Sequence, residues 1–213
     1  MDYDELIRIA NHHFTSDKYL PAYNYYLKAA KIKPSEDLIN KIEFIFNRIT
    51  EAHLDHVPRS AKDYRYRAIA YAYNENYEAA IMDCRIARDL DPKEAKNYVL
   101  EAECHKNLGA YQEAIDLLIS AINIDGKGDY YYKLSLIAAE LGNYESAEHC
   151  IRYAIDDDRN KAEYRLHFGK ILMAGKRYKD AFRELYYALE LDKNLSDIII
   201  PLGVECEEHL EQN

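Results

Sequence analysis

Five times along this chain a Tyr is followed three residues later by Ala and seven residues after that by a second Ala. The copies are Tyr19/Ala22/Ala29, Tyr77/Ala80/Ala87, Tyr111/Ala114/Ala121, Tyr144/Ala147/Ala154 and Tyr178/Ala181/Ala188, and the last four stand 34, 33 and 34 residues apart. Two small residues seven apart are two helical turns apart, so they share one face and let a neighbouring helix come close. A fixed period in this range means that each copy is one supersecondary unit, unable to bury its apolar face alone and obliged to stack on the next. The chain is thereby restricted to a series of packed helices.

Upstream of each Tyr lies a short turn: Ser16-Asp17-Lys18, Glu75-Asn76, Gly109-Ala110, Gly142-Asn143 and Gly175-Lys176-Arg177. Gly and Asn tolerate the left-handed backbone that ends a helix, so each turn separates a first helix from a second. Before the turns comes another helical pattern, with small residues at Ala10, Ala68, Ala102, Ser135 and Gly169. Some units close with Pro, as in Lys33-Pro34 and Asp91-Pro92, where a helix cannot continue.

In these residues the chain resembles the tetratricopeptide repeat (TPR) family, whose signature is an aromatic, Leu-Gly and Tyr in a first helix, then Ala, Phe or Tyr, Ala and Pro in a second. Ala22/Tyr26/Ala29/Pro34 and Ala80/Ala87/Pro92 match it, and the opening aromatic stands at Tyr64, Tyr98 and Tyr131. The terminal Pro is replaced by Gly126, Arg159 and Lys193 in the later units. The resemblance covers residues 3–34 and 61–193. It implies an all-α fold, a right-handed superhelical solenoid of antiparallel helix pairs, with unit 1 at residues 1–34 and units 2–5 at residues 61–193.

Two segments fall outside the repeats. The first two strings are 58 residues apart, 24 more than one 34-residue repeat, which leaves residues 35–60 for one inserted helix. Ser35, Glu36 and Asp37 make a helix start, since a side-chain oxygen caps a free amide and acids complement the dipole. Leu38, Ile42, Ile45 and Ile49 form one stripe, with Ile39 and Phe46 on an adjoining one. This helix is either a degenerate repeat stacked in line or a break in the stack. If the stack covers only the first stripe, Ile39 and Phe46 form an exposed patch for self-association. At the other end, residues 194–213 read as a capping helix. Ile199, Leu202 and Gly203 fall at first-helix positions, and Glu205, Glu207, Glu208 and Glu211 supply the polar face that a terminal helix needs.

The chain has 213 residues, 48% of them hydrophobic, and a formal charge of −10. It starts Met1-Asp2-Tyr3-Asp4-Glu5 and has no apolar run of signal or membrane-span length, so a cytoplasmic protein without membrane insertion is expected. Its acidity opposes nucleic-acid binding, which rests on phosphate neutralisation. Cys84, Cys104, Cys150 and Cys206 lack metal-ligand spacing and read as packed thiols. His53 and His56 could share a metal ion, but no third ligand is evident. His12-His13 point in different directions. Asp156-Asp157-Asp158 and Asp125-Gly126-Lys127-Gly128-Asp129 lack calcium-loop spacing and read as solvated turns. With no phosphate-cradling loop and no nucleophile beside a base, no enzyme, metal or cofactor is expected.

Binding remains. In the TPR family the first helices line a concave groove that receives an extended partner segment. Carried onto this sequence, that groove takes Lys62, Arg65, Tyr66, Ile69 and Tyr73 from unit 2. Unit 3 gives Lys96, Val99, Leu100, Glu103, Lys106 and Asn107, and unit 4 gives Asp129, Tyr132, Lys133, Leu136 and Glu140. Unit 5 adds Glu163, Leu166, His167, Lys170 and Met173. Six of these are cations and four are anions, so the groove is expected to be less acidic than the rest and to attract an acidic ligand with aromatic or aliphatic anchors. The opposing reading is that the 21 Tyr residues fill repeat cores and the cations have no such role. The family's co-chaperone clamp for a C-terminal carboxylate is not matched, since Ile7 stands for its leading Lys and units 3–5 show Val99, Glu103, Lys133, Glu163 and Leu166. The expected function is a non-enzymatic adaptor or chaperone-like module that holds a peptide of a partner protein; the alternative is a scaffold forming homodimers through the inserted helix.

Overall fold

A computed structural model describes residues 1–16, 18–55 and 57–211, and among them all regular structure is helical. Asp17 of the first expected turn and His56 of the expected histidine pair lie outside the described residues. The chain forms two compact units, residues 1–91 and 92–213.

The first unit holds α1 (Tyr3–Thr15), α2 (Tyr19–Ile32), α3 (Glu36–Asp55), α4 (Ala61–Tyr73) and α5 (Tyr77–Leu90). Each repeated Tyr opens a second helix, here α2 and α5. Helix α4 starts on a reciprocal cap: the Asp63 amide donates to Ser60 Oγ at 3.2 Å, and the Ser60 amide donates to Asp63 Oδ2 at 3.1 Å. That exchange satisfies two amides that have no partner inside the helix. The pairs α1/α2 and α4/α5 pack as hairpins around fully buried Ala10, Ala22 and Ala29, and Ala68, Ala80 and Ala87. Across the second hairpin, the Arg67 guanidinium donates two bonds to the nearly buried Asp83 carboxylate, at 2.7 and 2.8 Å. The paired, charged geometry holds this carboxylate in a site where an unpaired one would be costly.

Helix α3 packs against both α2 and α4. Its first turn is capped as expected, the Leu38 amide donating to Ser35 Oγ at 3.3 Å. Leu38 and Ile45 are buried in the core formed with Leu6, Tyr26 and Ala29, with Ile42 and Ile49 partly covered beside them. The second stripe departs from expectation. Phe46 is not in an exposed patch: its ring packs between Tyr23, at 5.4 Å between centroids, and Tyr73, edge-on at 4.5 Å. Only Ile39 of that stripe stands open to solvent. Contact with two aromatic rings covers part of Phe46 that would otherwise face water.

The second unit comprises α6 (Ala95–Asn107), α7 (Tyr111–Asp125), α8 (Gly128–Glu140), α9 (Tyr144–Asp157), α10 (Ala162–Ala174), α11 (Tyr178–Leu191) and α12 (Ser196–Glu211), with a short 3-10 turn at Lys193–Leu195. Again the repeated Tyr opens each second helix, and all six string alanines are fully buried. The hairpin turns at Gly109 (φ +76°) and Gly142 (φ +74°) use the left-handed backbone that glycine adopts without strain. In the last hairpin the left-handed residue is Lys176 (φ +58°), whereas the expected Gly175 stays at −79°. The turn closes one residue later than its glycine suggests. The run Asp156-Asp157-Asp158 is also more than a solvated turn, because the Gly128 amide at the start of α8 donates to Asp157 Oδ2 at 2.9 Å.

Close approach also marks the small residues inside the first helices. Ser135 Oγ donates to the Ala147 carbonyl at 2.8 Å, and a methyl group added at Gly169 would lie 2.8 Å from Cγ of Leu185. Helix α12 packs on α11 through Ile199 and Cys206. Its outer surface is not the purely polar face expected of a terminal helix, since Ile198, Ile200, Val204 and Leu210 are exposed beside the glutamates.

Ile45 has no exposed surface. Replacing it with Asp places an unpaired charge in the core shared by α1, α2 and α3, and should cost about 3 kcal/mol or more. Thermal melting followed by circular dichroism measures this directly; a parent-like melting point would show that α3 does not share that core.

Candidate functional site

The groove residues expected from the sequence fall in both compact units. In the first unit they lie on α4, and α3 meets that helix. Tyr66 stacks on His53 of α3 with centroids 5.0 Å apart, the Lys62 ammonium lies 5.6 Å from the same Tyr66 ring, and Tyr73 holds the edge of Phe46. Arg65 and Ile69 are half-buried on the same helix. Tyr66 and Tyr73 are thus engaged by the helix that precedes them in sequence. His53, one of the two histidines considered as metal ligands, is likewise a stacking partner. Among the described residues no group of three or more His, Cys, Asp or Glu is placed to hold a metal ion.

In the second unit the expected residues lie on α6, α8 and α10. Lys96 and Lys170 are exposed, and Leu100, Leu166 and Met173 are partly covered. Val99 is buried in the core with Ala102 and Tyr130, and so does not face a groove. A pocket forms where α6, α7 and α8 meet. Ala102, Leu118, Leu136 and Ile137 give it an apolar lining, and Glu103, Lys106, Asn107 and Lys133 surround that lining with polar groups. Five of these eight residues were expected in a groove from first-helix spacing. The others, Ala102, Leu118 and Ile137, were not, because they belong to the packed faces of their helices and only their edges reach the pocket.

The charges at the rim are paired. The Lys133 ammonium contacts Glu103, and the Lys106 ammonium lies 2.7 Å from Glu140, so each pair joins α6 to α8. Two of the cations expected to attract an acidic ligand are therefore matched by carboxylates of the neighbouring first helix. All four side chains keep roughly a third or more of their surface in water, and exposed pairs of this kind are held weakly and exchange partners readily.

Next to the pocket lies an aromatic and polar cluster. Tyr132 packs 4.9 Å from Tyr164 and 5.6 Å from His167, edge to face in the second case. His167 Nε2 is 3.0 Å from Ser135 Oγ. Because the Ser135 hydroxyl proton is given to the Ala147 carbonyl, its oxygen accepts, and Nε2 must carry the proton of a neutral ring. Burial, with a smaller contribution from Lys170, holds the His167 pKa below that of an ordinary histidine. On its other flank, Tyr164 donates its hydroxyl to Asp129 Oδ1, which also accepts from Lys161, each at 2.5 Å. Burial and the Asp129 bond push the Tyr164 hydroxyl up to about 12. At Asp129 burial acts upward, but the Lys161 and Tyr164 bonds outweigh it and hold the carboxyl below its usual range.

Cys84, Cys104 and Cys206 are buried and Cys150 is partly covered, and no disulfide forms among the described residues. Burial, aided by Glu103 and Glu101, pushes the Cys104 thiol up to about 12, which disfavours the nucleophilic thiolate. Among the described residues no helix is long and apolar enough to cross a membrane.

Comparison with known proteins finds repeats of one kind. A family model described as "Tetratricopeptide repeat" matches residues 132–195. Anaphase-promoting complex subunit 3 of Dictyostelium discoideum is 30% identical over 70 residues, a stretch that is 32% of this chain and 7% of that protein. Among solved structures, the APC/C hetero-tetramer Cut9-Hcn1 aligns with a TM-score of 0.68 at 15% identity, over 97% of this chain and 43% of the other. YrrB, described as a TPR protein with an unusual peptide-binding site, aligns at 0.60 with 20% identity, over 78% of this chain and 85% of its own. A thermophilic TPR protein of Thermus thermophilus aligns at 0.58 with 15% identity, over 98% of this chain and 99% of the other. Likeness at such identities concerns the fold.

The neutral His167 gives a pH prediction. Its folded pKa lies below the ordinary value near 6.5, so the unfolded chain takes up this proton first as pH falls. The stabilisation is complete above about pH 6.5 and is lost progressively between there and the lowered folded value. Melting points at pH 7.5 and pH 5 should differ more for the parent than for His167→Gln. An equal drop in both would show that His167 does not contribute.

Proposed function

Since the chain is a tetratricopeptide-repeat protein, and so a protein–protein interaction module of a kind that generally acts as a non-enzymatic scaffold, we propose that it holds an extended peptide of a partner protein against the first helices α6, α8 and α10. The observation that carries this reading is the pocket between α6, α7 and α8, with apolar Leu118, Leu136 and Ile137 and the polar groups of Asn107, Lys106, Lys133 and Glu103 around them. An aliphatic side chain of the peptide enters this pocket. The Asn107 amide pairs with peptide backbone, and Tyr132 offers a rigid ring beside it at low entropic cost. The charge pairs change the ligand expected from sequence. A uniformly acidic peptide would have to displace Glu103 and Glu140 from their lysines, so an aliphatic anchor flanked by both signs of charge fits better than an acidic run. Peptide binding by YrrB is consistent with such use of the fold. Lys96, Leu100, His167 and Lys170 extend the same helix faces to either side.

Self-association through α3, the alternative, has lost half of its basis. Phe46 is partly covered by Tyr23 and Tyr73, so of that stripe Ile39 stands open to solvent.

The test is selection of a random peptide-display library on the full chain, followed by affinity measurements on the enriched peptides. These should share an aliphatic residue, and Leu136→Gln and Asn107→Ala should each weaken binding at least tenfold, about 1.4 kcal/mol, with a native circular dichroism spectrum. Peptides that bind both variants as tightly as the parent would overturn the assignment.

A further inference from the structure

Repeat register marks where the chain departs from its own pattern, and three departures meet at one place in the second compact unit. Arg165 of α10 precedes Tyr178 by thirteen residues, the position that Tyr64, Tyr98 and Tyr131 hold in units 2, 3 and 4. Glu184 of α11 stands where units 3 and 4 have Leu117 and Cys150, and Arg159 stands where units 1 and 2 have Pro34 and Pro92. In unit 4 the aromatic packs on its own second helix, Tyr131 against Tyr153 with centroids 5.1 Å apart. In unit 5 the Arg165 guanidinium takes that place, 5.7 Å from the Tyr187 ring. A cavity of about 310 Å³ opens among α9, α10 and α11, and these three residues line it with Arg152, Ile155 and Phe168.

The guanidiniums are held there without being used up. Arg152 lies 4.8 Å from the Phe168 ring and donates from Nε and Nη2 to Glu148. Glu148 also accepts two bonds from Arg177, so it stays paired when Arg152 turns to a ligand. Arg165 donates from Nη1 to Glu184 at 2.7 Å. Arg159 is exposed and lies 3.9 Å from Asp156, beyond hydrogen-bond range. A guanidinium carries five N–H donors in a fixed fork, so each of the three keeps donors for a ligand. Three cations against the carboxylates of Asp156 and Glu184 leave the lining positive in a chain of formal charge −10.

We infer that this cavity binds a phosphomonoester group on a side chain of a partner protein. Three forks present more donors than the two oxygens of a carboxylate can take, whereas a phosphomonoester offers three terminal oxygens and close to two negative charges. Ile155 and Phe168 add apolar surface for the carbon atoms that join the phosphate to its side chain, atoms that free phosphate lacks. A nucleic-acid backbone, with one charge per phosphate, is opposed by the acidity of the whole chain. The cavity shares no residue with the α6–α8 pocket, so either site can fail without the other.

The probe is N-acetyl-phosphotyrosine amide, titrated into the full chain at low salt and followed by calorimetry. It should bind with a Kd of about 1 mM, and both unphosphorylated N-acetyl-tyrosine amide and inorganic phosphate should bind at least about fivefold more weakly. Arg159→Ala, at an exposed position, and Arg165→Lys, which keeps a charge beside Glu184 but loses the fork, should each weaken the phosphorylated probe at least about fivefold, with a native circular dichroism spectrum. Leu136→Gln should leave its binding unchanged. The proposal is overturned if the phosphorylated probe does not bind, if the unphosphorylated one binds equally, or if folded Arg159→Ala binds like the parent. Equal affinity for inorganic phosphate would assign the cavity to the free ion instead of a phosphorylated side chain.

Discussion

Contact between small residues on facing helices governs this structure. An alanine with no exposed surface contributes little hydrophobic area of its own. What it contributes is distance: it lets two backbones come close enough for the large side chains around it to interdigitate. The ten string alanines act in this way, and the first-helix residues carry the same requirement to its limit, where Ser135 bonds a facing carbonyl and Gly169 leaves no room for a methyl group. Leu185 and Tyr164 are buried as a result of that approach. The fold therefore depends on where bulk is missing as much as on where it is present.

Charge is arranged locally around this frame. Despite a net charge of −10, the strongest polar contacts are specific pairs between helices. Arg67 grips Asp83 and Arg165 donates to Glu184 at 2.7 Å, both carboxylates standing at the same place in their respective second helices and both nearly buried. On the first helices the pairs Lys133/Glu103 and Lys106/Glu140 are more exposed. The buried pairs fix hairpins, since removing one partner would strand a charge out of water. The exposed pairs set the character of the α6–α8 pocket and can yield to a ligand. Counting lysines along the groove could not separate these roles.

What the sequence made legible was whatever repeats. The helix starts at Tyr19, Tyr77, Tyr111, Tyr144 and Tyr178 and the buried alanines follow from spacing within a few turns. The misjudged features depend on contacts between helices. Phe46 is partly covered because Tyr23 and Tyr73 flank it, and neither is near it in sequence. The Lys133/Glu103 pair spans 30 residues. Val99 lies one helical step from the exposed face and turns inward. At Lys176 the left-handed residue is a lysine beside a glycine, so composition pointed to the right turn and the wrong residue. The pocket was legible in its rim, which is exposed and follows helix spacing, and illegible in Leu118, which comes from a second helix.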